Sequence, residues 1–296
     1  MHIIPAVYPE AFEEVADKLY LLSGLTSFAQ IVLCDGSYGL RKSWLPTGRE
    51  ILPSTFDYQF DCILTSWREY LAKAYQMGVK NIIIHIDEFS NEDFDELFKM
   101  VRVYDISLGF AVSNDISVDV LINAVLKAEE VKLFEDTNRV FIQVTGMRNL
   151  EENKHPFDER VLNRIRVLKK LLPSHSIQVG GRINPDTARL VRQAGADRLV
   201  VGSYLFGHED MKEALGNLII AITEELQEKS EQLEQSVAIK EEPVAIKEEP
   251  PQPAEEKEEV PPPLEETKKE KEKREKYEAS KHEIIYDLDE DEFAPH

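Results

Sequence analysis

Short apolar runs alternate with amphipathic segments along most of this 296-residue chain, and this alternation constrains the fold more than any other feature. The apolar runs are rich in Ile and Val and mostly uninterrupted, which is typical of parallel strands buried on both faces. They occupy residues 3–6, 29–34, 59–64, 81–86, 106–112, 139–145, 176–179 and 198–202. Helical periodicity marks residues 10–22, 66–77, 91–101, 118–130, 158–172 and 185–195, and a final helix begins near His208.

Eight strands alternating with helices in residues 1–226 predict a (β/α)8 TIM barrel. Only residues 37–58, between the second and third strands, lack a clear helical pattern. A doubly wound open sheet is the alternative fold. The glycine fingerprint of dinucleotide-binding sheets is missing after the first strand, where the chain has "PAVYPEAF" instead. The barrel is therefore the preferred interpretation.

Composition changes sharply near residue 227. Residues 227–296 hold 23 Asp and Glu against 11 Lys and Arg, which is −12 of the net charge of −21, and they hold eight of the 15 prolines but no glycine. They include the repeat "VAIKEEP-VAIKEEP" at 237–250. Such a segment buries too little apolar surface to offset its ordering entropy. We therefore predict a barrel domain at 1–226 and a disordered acidic tail at 227–296, whose end "EIIYDLDEDEF" is either a docking motif for a protein partner or a solvated terminus.

Charge and hydropathy exclude several classes of function. The net charge of −21 opposes binding to nucleic acids and to anionic membranes, because their phosphates would be repelled. No apolar run approaches the roughly 18–20 residues of a membrane span, and the first residues lack the basic and apolar regions of a secretory signal. Cys34 and Cys62 have no metal-type spacing and are predicted to be reduced, buried thiols. We expect a cytoplasmic protein without a cofactor.

Five segments carry a more specific signal when they are taken in order. They are "IIPAVYPEAFEEVADKL" (3–19), "VLCDGSYG" (32–39), "IIIHID" (82–87), "PFDERVLNRIRVLKKLL" (156–172) and "IQVGGRINPDTARLVRQAGADRLVVGSYLFG" (177–207). In this order and spacing they resemble the ribulose-phosphate 3-epimerase family, over roughly residues 3–215. The last segment follows the family's β7–α7–β8 unit nearly position by position. The resemblance implies the same TIM barrel.

The resemblance also implies a reaction, and the sequence departs from it. Family members invert carbon 3 of a pentulose 5-phosphate with two aspartates around a divalent metal, which those aspartates and two histidines hold. The His-x-Asp pair of the second strand falls here on Gln30 and Val32. The third-strand histidine falls on Ile63, the seventh-strand aspartate on Gly180 and the first-strand serine on Ala6. We therefore expect no metal and no metal-dependent epimerisation.

The phosphate-binding end of the family pattern is better retained. In phosphate-binding barrels the loops after strands seven and eight direct backbone N–H groups at the anion. The corresponding residues here are Gly181 and Arg182 in the first loop and Gly202 and Ser203 in the second. These four are the predicted phosphate-binding residues. The alternative is that the glycines only fit tight strand–helix turns.

The loop after strand six departs from the family's glycine-rich pattern. It is "GMRNLEENKHPF", in which Gly146 is the only glycine. Glu151 and Glu152 would repel a phosphate, whereas a compensating positive charge would come from Arg148, Lys154 and His155.

Three functional hypotheses remain open at this stage. The first is a family barrel that binds a phosphorylated sugar or metabolite without turnover. The second is an active carbohydrate-phosphate isomerase with a relocated, metal-free site that uses Asp35, His85 or Cys34. In the alternative interpretation, Asp35 only orients its loop and His85 is a packed core residue, while Asp87 and Glu88 lie at the rim. The third hypothesis is a scaffold whose tail recruits a protein partner.

Overall fold

The computed structural model describes residues 1–37, 40–147 and 156–223. Eight parallel strands follow one another in chain order and close into a barrel through the pairing of β1 with β8. The strands are β1 His2–Val7, β2 Phe28–Cys34, β3 Asp57–Ile63, β4 Asn81–His85, β5 Ser107–Ala111, β6 Val140–Thr145, β7 Ser176–Gly180 and β8 Arg198–Val201. The predicted TIM barrel is confirmed, and the open sheet is excluded.

Helices cover the outside of the barrel. They are α1 Phe12–Leu22, α2 Trp67–Gln76, α3 Asn91–Tyr104, α4 Val118–Glu130, α5 Arg160–Leu171, α6 Pro185–Ala194, α7 Ser203–Phe206 and α8 at 211–223, with a short 3-10 turn at Thr137–Arg139. Residues 40–56 contain no helix, as predicted. Local sequence sets the helix limits: the Asn184 side chain accepts hydrogen bonds from the first-turn N–H groups of α6, and Gly195 ends the helix at a φ of 109°.

Side chains fill the amino-terminal part of the barrel interior. Phe141 of β6 is fully buried and packs with Ile83 and Ala111. It occupies the space that a side chain at position 109 would need, because a Cβ on Gly109 would lie 2.5 Å from Cε2 of Phe141. The Arg198 guanidinium lies 5.3 Å from the centre of the Phe141 ring. This packing fills the interior on the amino-terminal side, whereas TIM barrels place their sites at the carboxyl ends of the strands.

Three further expectations concern the cysteines, membrane-spanning segments and the domain boundary. Cys34 and Cys62 are both free and buried, and burial, with a smaller contribution from the charge of Asp61, raises the pKa of the Cys62 thiol well above its usual value. Within the part of the chain that the structure describes, no helix is long and apolar enough to cross a membrane. The predicted boundary at 226/227 and the predicted tail lie outside the described residues.

Candidate functional site

A cavity of about 580 Å³ opens at the carboxyl ends of the barrel strands. Its lining comes from strand ends and from the loops that follow them. It comprises Ala6, Tyr8, Lys18, Gln30, Val32, Leu40, Arg41, Asp61, Ile63, His85, Ala111, Val112, Gln143, Val144, Thr145, Met147, Gly180, Gly181, Arg182, Ile183, Val200, Gly202, Ser203 and Phe206. The predicted phosphate-binding residues all belong to this lining.

Four polar side chains form the floor of the cavity, and we call Gln30, Asp61, His85 and Gln143 the polar floor. Asp61 lies at its centre. The Asp61 Oδ2 atom accepts hydrogen bonds from the side-chain amides of Gln30 at 3.0 Å and Gln143 at 2.8 Å. Its Oδ1 atom lies 3.1 Å from Nε2 of His85. A carboxylate that is almost fully buried is thus held by three polar partners, as a buried charge requires.

His85 and Asp61 form a buried pair. The exposed fractions of their side chains are 5% and 7%, yet both line the cavity. The sequence prediction placed His85 either in the core or in a base role and missed Asp61, which it treated only as part of a strand. The signal was present: a charged residue inside a run destined for burial is rare unless it is paired.

The positions at which the family resemblance expects metal ligands do lie around this cavity. Gln30, Val32, Ile63 and Gly180 all line it, as does Ala6. Val32, Ile63 and Gly180 offer no side-chain donor atom for a cation. The side-chain oxygen of Gln30, Oε1, already accepts hydrogen bonds from the side-chain amides of Gln59 and Gln178. The residues therefore do not fit the family's metal, and no group of three or more His, Cys, Asp or Glu with metal-binding geometry occurs among the described residues.

An apolar wall lies where the family resemblance expects metal ligands from the second and third strands. Val32, Ile63 and the fully buried Cys34 pack together, with Tyr8 and Leu40 against them. We call the four cavity-lining members, Tyr8, Val32, Leu40 and Ile63, the apolar wall. The Tyr8 hydroxyl donates a hydrogen bond to the carbonyl of Arg41, and burial, supported by a hydrogen bond with Cys34, raises the pKa of Tyr8. Tyr8 therefore presents its ring, and not an ionised oxygen, to the cavity.

The loop after β7 has an unusual backbone. Gly181 has a φ of 80° and Arg182 a φ of 60°, so both are left-handed. Gly181 needs to be glycine, because a Cβ there would lie 2.6 Å from Oγ1 of Thr145. Arg182 is a non-glycine residue in a conformation that costs a residue with a Cβ about 1–2 kcal/mol. Its Nη2 atom is buried and has no hydrogen-bond partner within the described residues.

Gly202, after β8, has a packing reason of its own. A Cβ at this position would lie 2.9 Å from the carbonyl oxygen of Ala6 in β1, so the close approach of β1 excludes a side chain here. The neighbouring Ser203 begins α7 and lines the cavity. Gly202 is thus accounted for by barrel closure, and a role toward an anion rests on Arg182 and Ser203 more than on this glycine.

Lys18 is a cavity residue that the sequence prediction missed. It lies on α1, yet it lines the cavity, and its Nζ atom is 5.5 Å from the centre of the Phe206 ring in α7. Neither Lys18 nor Arg182 forms an ion pair with any acidic group in the described ranges. We call these two residues the cationic end. The helical periodicity of α1 does not indicate that the Lys18 side chain reaches the cavity, because that contact is made with Phe206, far away in the chain.

The other candidate residues lie off the cavity. Asp35 accepts hydrogen bonds from Ser37 and Thr65; burial alone would raise its pKa, but these bonds lower it. Asp35 therefore orients its loop. Cys34 is fully buried, and Asp87 accepts a hydrogen bond from the Ser113 N–H at 3.0 Å. Of the three residues proposed for a metal-free reaction, His85 alone lines the cavity.

The loop after β6 is anchored at its start. The Gly146 N–H donates to the carbonyl of Gly180 at 2.8 Å, and a Cβ at Gly146 would meet the Gly181 carbonyl at 2.6 Å. This glycine therefore joins the β6 and β7 loops. The charged residues predicted to act on a phosphate from this loop, namely Arg148, Glu151, Glu152, Lys154 and His155, lie outside the described residues.

Comparison with known sequences gives one consistent match. Residues 50–206 match the model of the "Ribulose-phosphate 3 epimerase family". The cytoplasmic isoform of ribulose-phosphate 3-epimerase from Oryza sativa subsp. japonica is 25% identical over 160 residues, which cover 53% of this chain and 66% of the relative. The ribulose-phosphate 3-epimerase of Chlamydia pneumoniae is 29% identical over 140 residues, which cover 47% and 57%. The chain thus matches about two thirds or less of the length of these curated relatives.

Solved structures support the fold. A 3-hexulose-6-phosphate synthase superposes with a TM-score of 0.53 at 16% identity, covering 75% of this chain and 100% of the other. The 3-keto-L-gulonate-6-phosphate decarboxylase from Vibrio cholerae gives the same TM-score at 13% identity and covers 75% and 97%. At these identities the likeness shows a shared barrel and nothing further about chemistry.

Proposed function

The chain belongs to the ribulose-phosphate 3-epimerase family, and from this premise we propose that its barrel binds a phosphorylated sugar or a related phosphorylated metabolite and does not carry out metal-dependent epimerisation. The ligand's phosphate lies against the loops after β7 and β8. The residues that contact it are Arg182 and Ser203, with the backbone of Gly181 and Gly202.

Arg182 is the observation that carries the proposal. Its guanidinium has a buried Nη2 donor with no partner in the described structure, and an unmet buried donor costs about 1–3 kcal/mol. Its backbone is also strained at a φ of 60°. A phosphate oxygen would satisfy the donor through a charge-assisted bond. Residues kept in strained conformations cluster at ligand sites, where binding compensates for the strain.

The distribution of charge in the cavity supports an anionic ligand. Lys18 and Arg182 bring two positive charges to one end, and neither has an acidic partner within the described ranges. Among the described lining residues, Asp61 is the one carboxylate, and its own amide and imidazole partners bind it at the floor. An anion at the cationic end is therefore attracted without facing an unpaired carboxylate.

The polar floor favours a second candidate function, which is metal-free isomerisation. Asp61 lies 3.1 Å from His85 Nε2 and so fixes the orientation of the imidazole at the cavity. A histidine oriented by a carboxylate is a common arrangement for proton transfer. In this candidate, Asp61 positions His85, which moves a proton on the bound ligand. Because Nε2 faces Asp61 and Nδ1 is buried, the imidazole has to turn toward the ligand for this step.

Calorimetric titration with ribose 5-phosphate and with inorganic phosphate tests binding. Binding should weaken as salt rises, because the contact is charge-assisted. Arg182→Ala should lower the binding free energy by about 1.5–3 kcal/mol, and Ser203→Ala by about 0.5–1.5 kcal/mol, since the latter removes one neutral donor. Arg166→Ala, on the exposed face of α5, removes the same charge away from the cavity and should change nothing. Equal binding by wild type and Arg182→Ala would contradict the proposal.

An epimerase assay separates the two candidates. The purified chain should give no turnover of ribulose 5-phosphate with added zinc, iron or manganese. Turnover that a chelator abolishes would overturn the proposal. Turnover that survives the chelator but is lost in His85→Gln would instead establish the metal-free candidate.

A further inference from the structure

The apolar wall is the part of the cavity that the proposed function leaves unexplained. Tyr8, Val32, Leu40 and Ile63 form one apolar surface there. Val32 and Ile63 have exposed fractions of only 9% and 5%. Val32, Leu40 and Ile63 have no hydrogen-bonding side-chain group, and the Tyr8 hydroxyl already donates its proton to the carbonyl of Arg41. A ligand hydroxyl group placed against Val32, Leu40 or Ile63 would lose its water without gaining a hydrogen-bond partner.

Barrel topology places Ile63 across the mouth from the loop after β7, whereas Tyr8 follows β1, which pairs with β8. The eight strands close in chain order. Two strands whose numbers differ by four, such as β3 and β7, therefore lie on opposite sides of the barrel. Ile63 ends β3, and Arg182 follows β7. A hydrogen bond across the interior joins the same two strands, from the Gln59 amide to the Gln178 oxygen at 3.4 Å. A ligand anchored at Arg182 therefore extends toward Ile63.

Between the two ends, the ligand passes over the polar floor. Gln30, Gln143 and Asp61 form hydrogen bonds there mainly with one another. The three zones thus differ in chemistry: a cationic end, a hydrogen-bonded middle and an apolar wall. Arg41 lines the cavity beside this wall, where its guanidinium pairs with Glu10. The 580 Å³ of the cavity falls in the usual range for a small-molecule site.

We infer that the ligand is an organic phosphate whose end remote from the phosphate is apolar, such as an aryl or alkyl group, and not a fully hydroxylated sugar chain. This inference rests on the proposed phosphate site and specifies its ligand. An apolar group on the wall gains by leaving water. A hydroxyl group there loses its water without replacement, a penalty on the order of tenfold in affinity.

Calorimetric titration of the full chain with three probes tests the inference. The probes are inorganic phosphate, ribose 5-phosphate and benzyl phosphate. Benzyl phosphate should bind at least about tenfold more tightly than ribose 5-phosphate. Equal or tighter binding of ribose 5-phosphate would overturn this inference and leave the phosphate site standing. No binding of any of the three would overturn the proposed function, and this inference with it.

Variants of the wall provide the second arm. Ile63→Thr keeps the branched shape and adds a hydroxyl, so it should weaken benzyl phosphate several-fold and leave inorganic phosphate unchanged. Leu40→Ser, in the partly exposed loop, gives the same test if Ile63→Thr fails to fold. Val103→Thr, on an α3 residue that is 76% exposed, is the matched control and should have no effect. Unchanged benzyl phosphate affinity in both wall variants would overturn the inference.

Discussion

The two sides of the cavity follow the family resemblance to different degrees. Around β7 and β8, Gly181, Gly202 and Ser203 keep the family's residue types, and Arg182 and Lys18 add positive charge. Around β2 and β3, Val32 and Ile63 stand where the resemblance expects metal ligands. One side carries the contacts proposed for an anion, while the other has no side-chain donor for a metal at Val32 or Ile63.

This difference shows how a barrel separates binding from chemistry. Loops after different strands supply the two functions, so either set can change while the strand pairing persists. The packed interior around Phe141 and Gly109 belongs to neither side and preserves the fold. Family membership therefore fixes the architecture of this chain more firmly than its reaction.

The largest expected effect comes from the polar floor, which divides the two sides. Asp61→Ala leaves the donors of Gln30, Gln143 and His85 without their acceptor, so the free energy of unfolding should fall by about 3 kcal/mol or more. Asp61→Asn, which keeps one acceptor oxygen, should lose less. Urea denaturation at pH 7 measures both. A loss below about 1 kcal/mol in Asp61→Ala would show that the floor does not belong to the structural core.

At the β7 loop we expect a smaller effect, in which the free energy of unfolding rises while phosphate affinity falls. Arg182→Gly removes the strain of a φ of 60° and should raise the free energy of unfolding by up to about 1 kcal/mol, while phosphate affinity falls at least about tenfold. Lys132 has a φ of 49° and is exposed, so Lys132→Gly is the matched control: it should also stabilise but leave phosphate binding intact. If Arg182→Gly bound phosphate as well as wild type, Arg182 would not be an anion contact and the proposed difference between the two sides would fail.

The smallest effect should come from the predicted tail. Deleting residues 231–296 should shift the melting temperature by less than about 1 °C, because a segment of that composition has no apolar face to pack. Phosphate binding should be unchanged as well. A loss of several degrees, or altered phosphate affinity, would mean that the tail contributes to the barrel or to one side of its cavity.

Periodicity in the sequence was enough to predict the barrel. Each of the eight apolar runs became a strand and each helical pattern a helix, since continuous Ile- and Val-rich runs are stable only when both faces are buried. Local chemistry likewise set the limits of α6, through Asn184 and Gly195. The segment 40–56 lacks a helix, as its missing periodicity predicted. The domain boundary at 226/227 and the disorder of the tail stay predictions.

The sequence by itself determined the strands, the helices and the absence of metal-binding residue types at Val32, Ile63 and Gly180, because these depend on local pattern and on residue identity. Only the tertiary structure decided which side chains meet. Asp61 is joined to residues 24 and 82 positions away, His85 and Gln143, and Lys18 reaches the cavity from a helix. Contacts of this kind depend on barrel closure and side-chain direction, which no local periodicity encodes. The same closure explains Gly202 by the Ala6 carbonyl, a reason that the loop sequence could not supply.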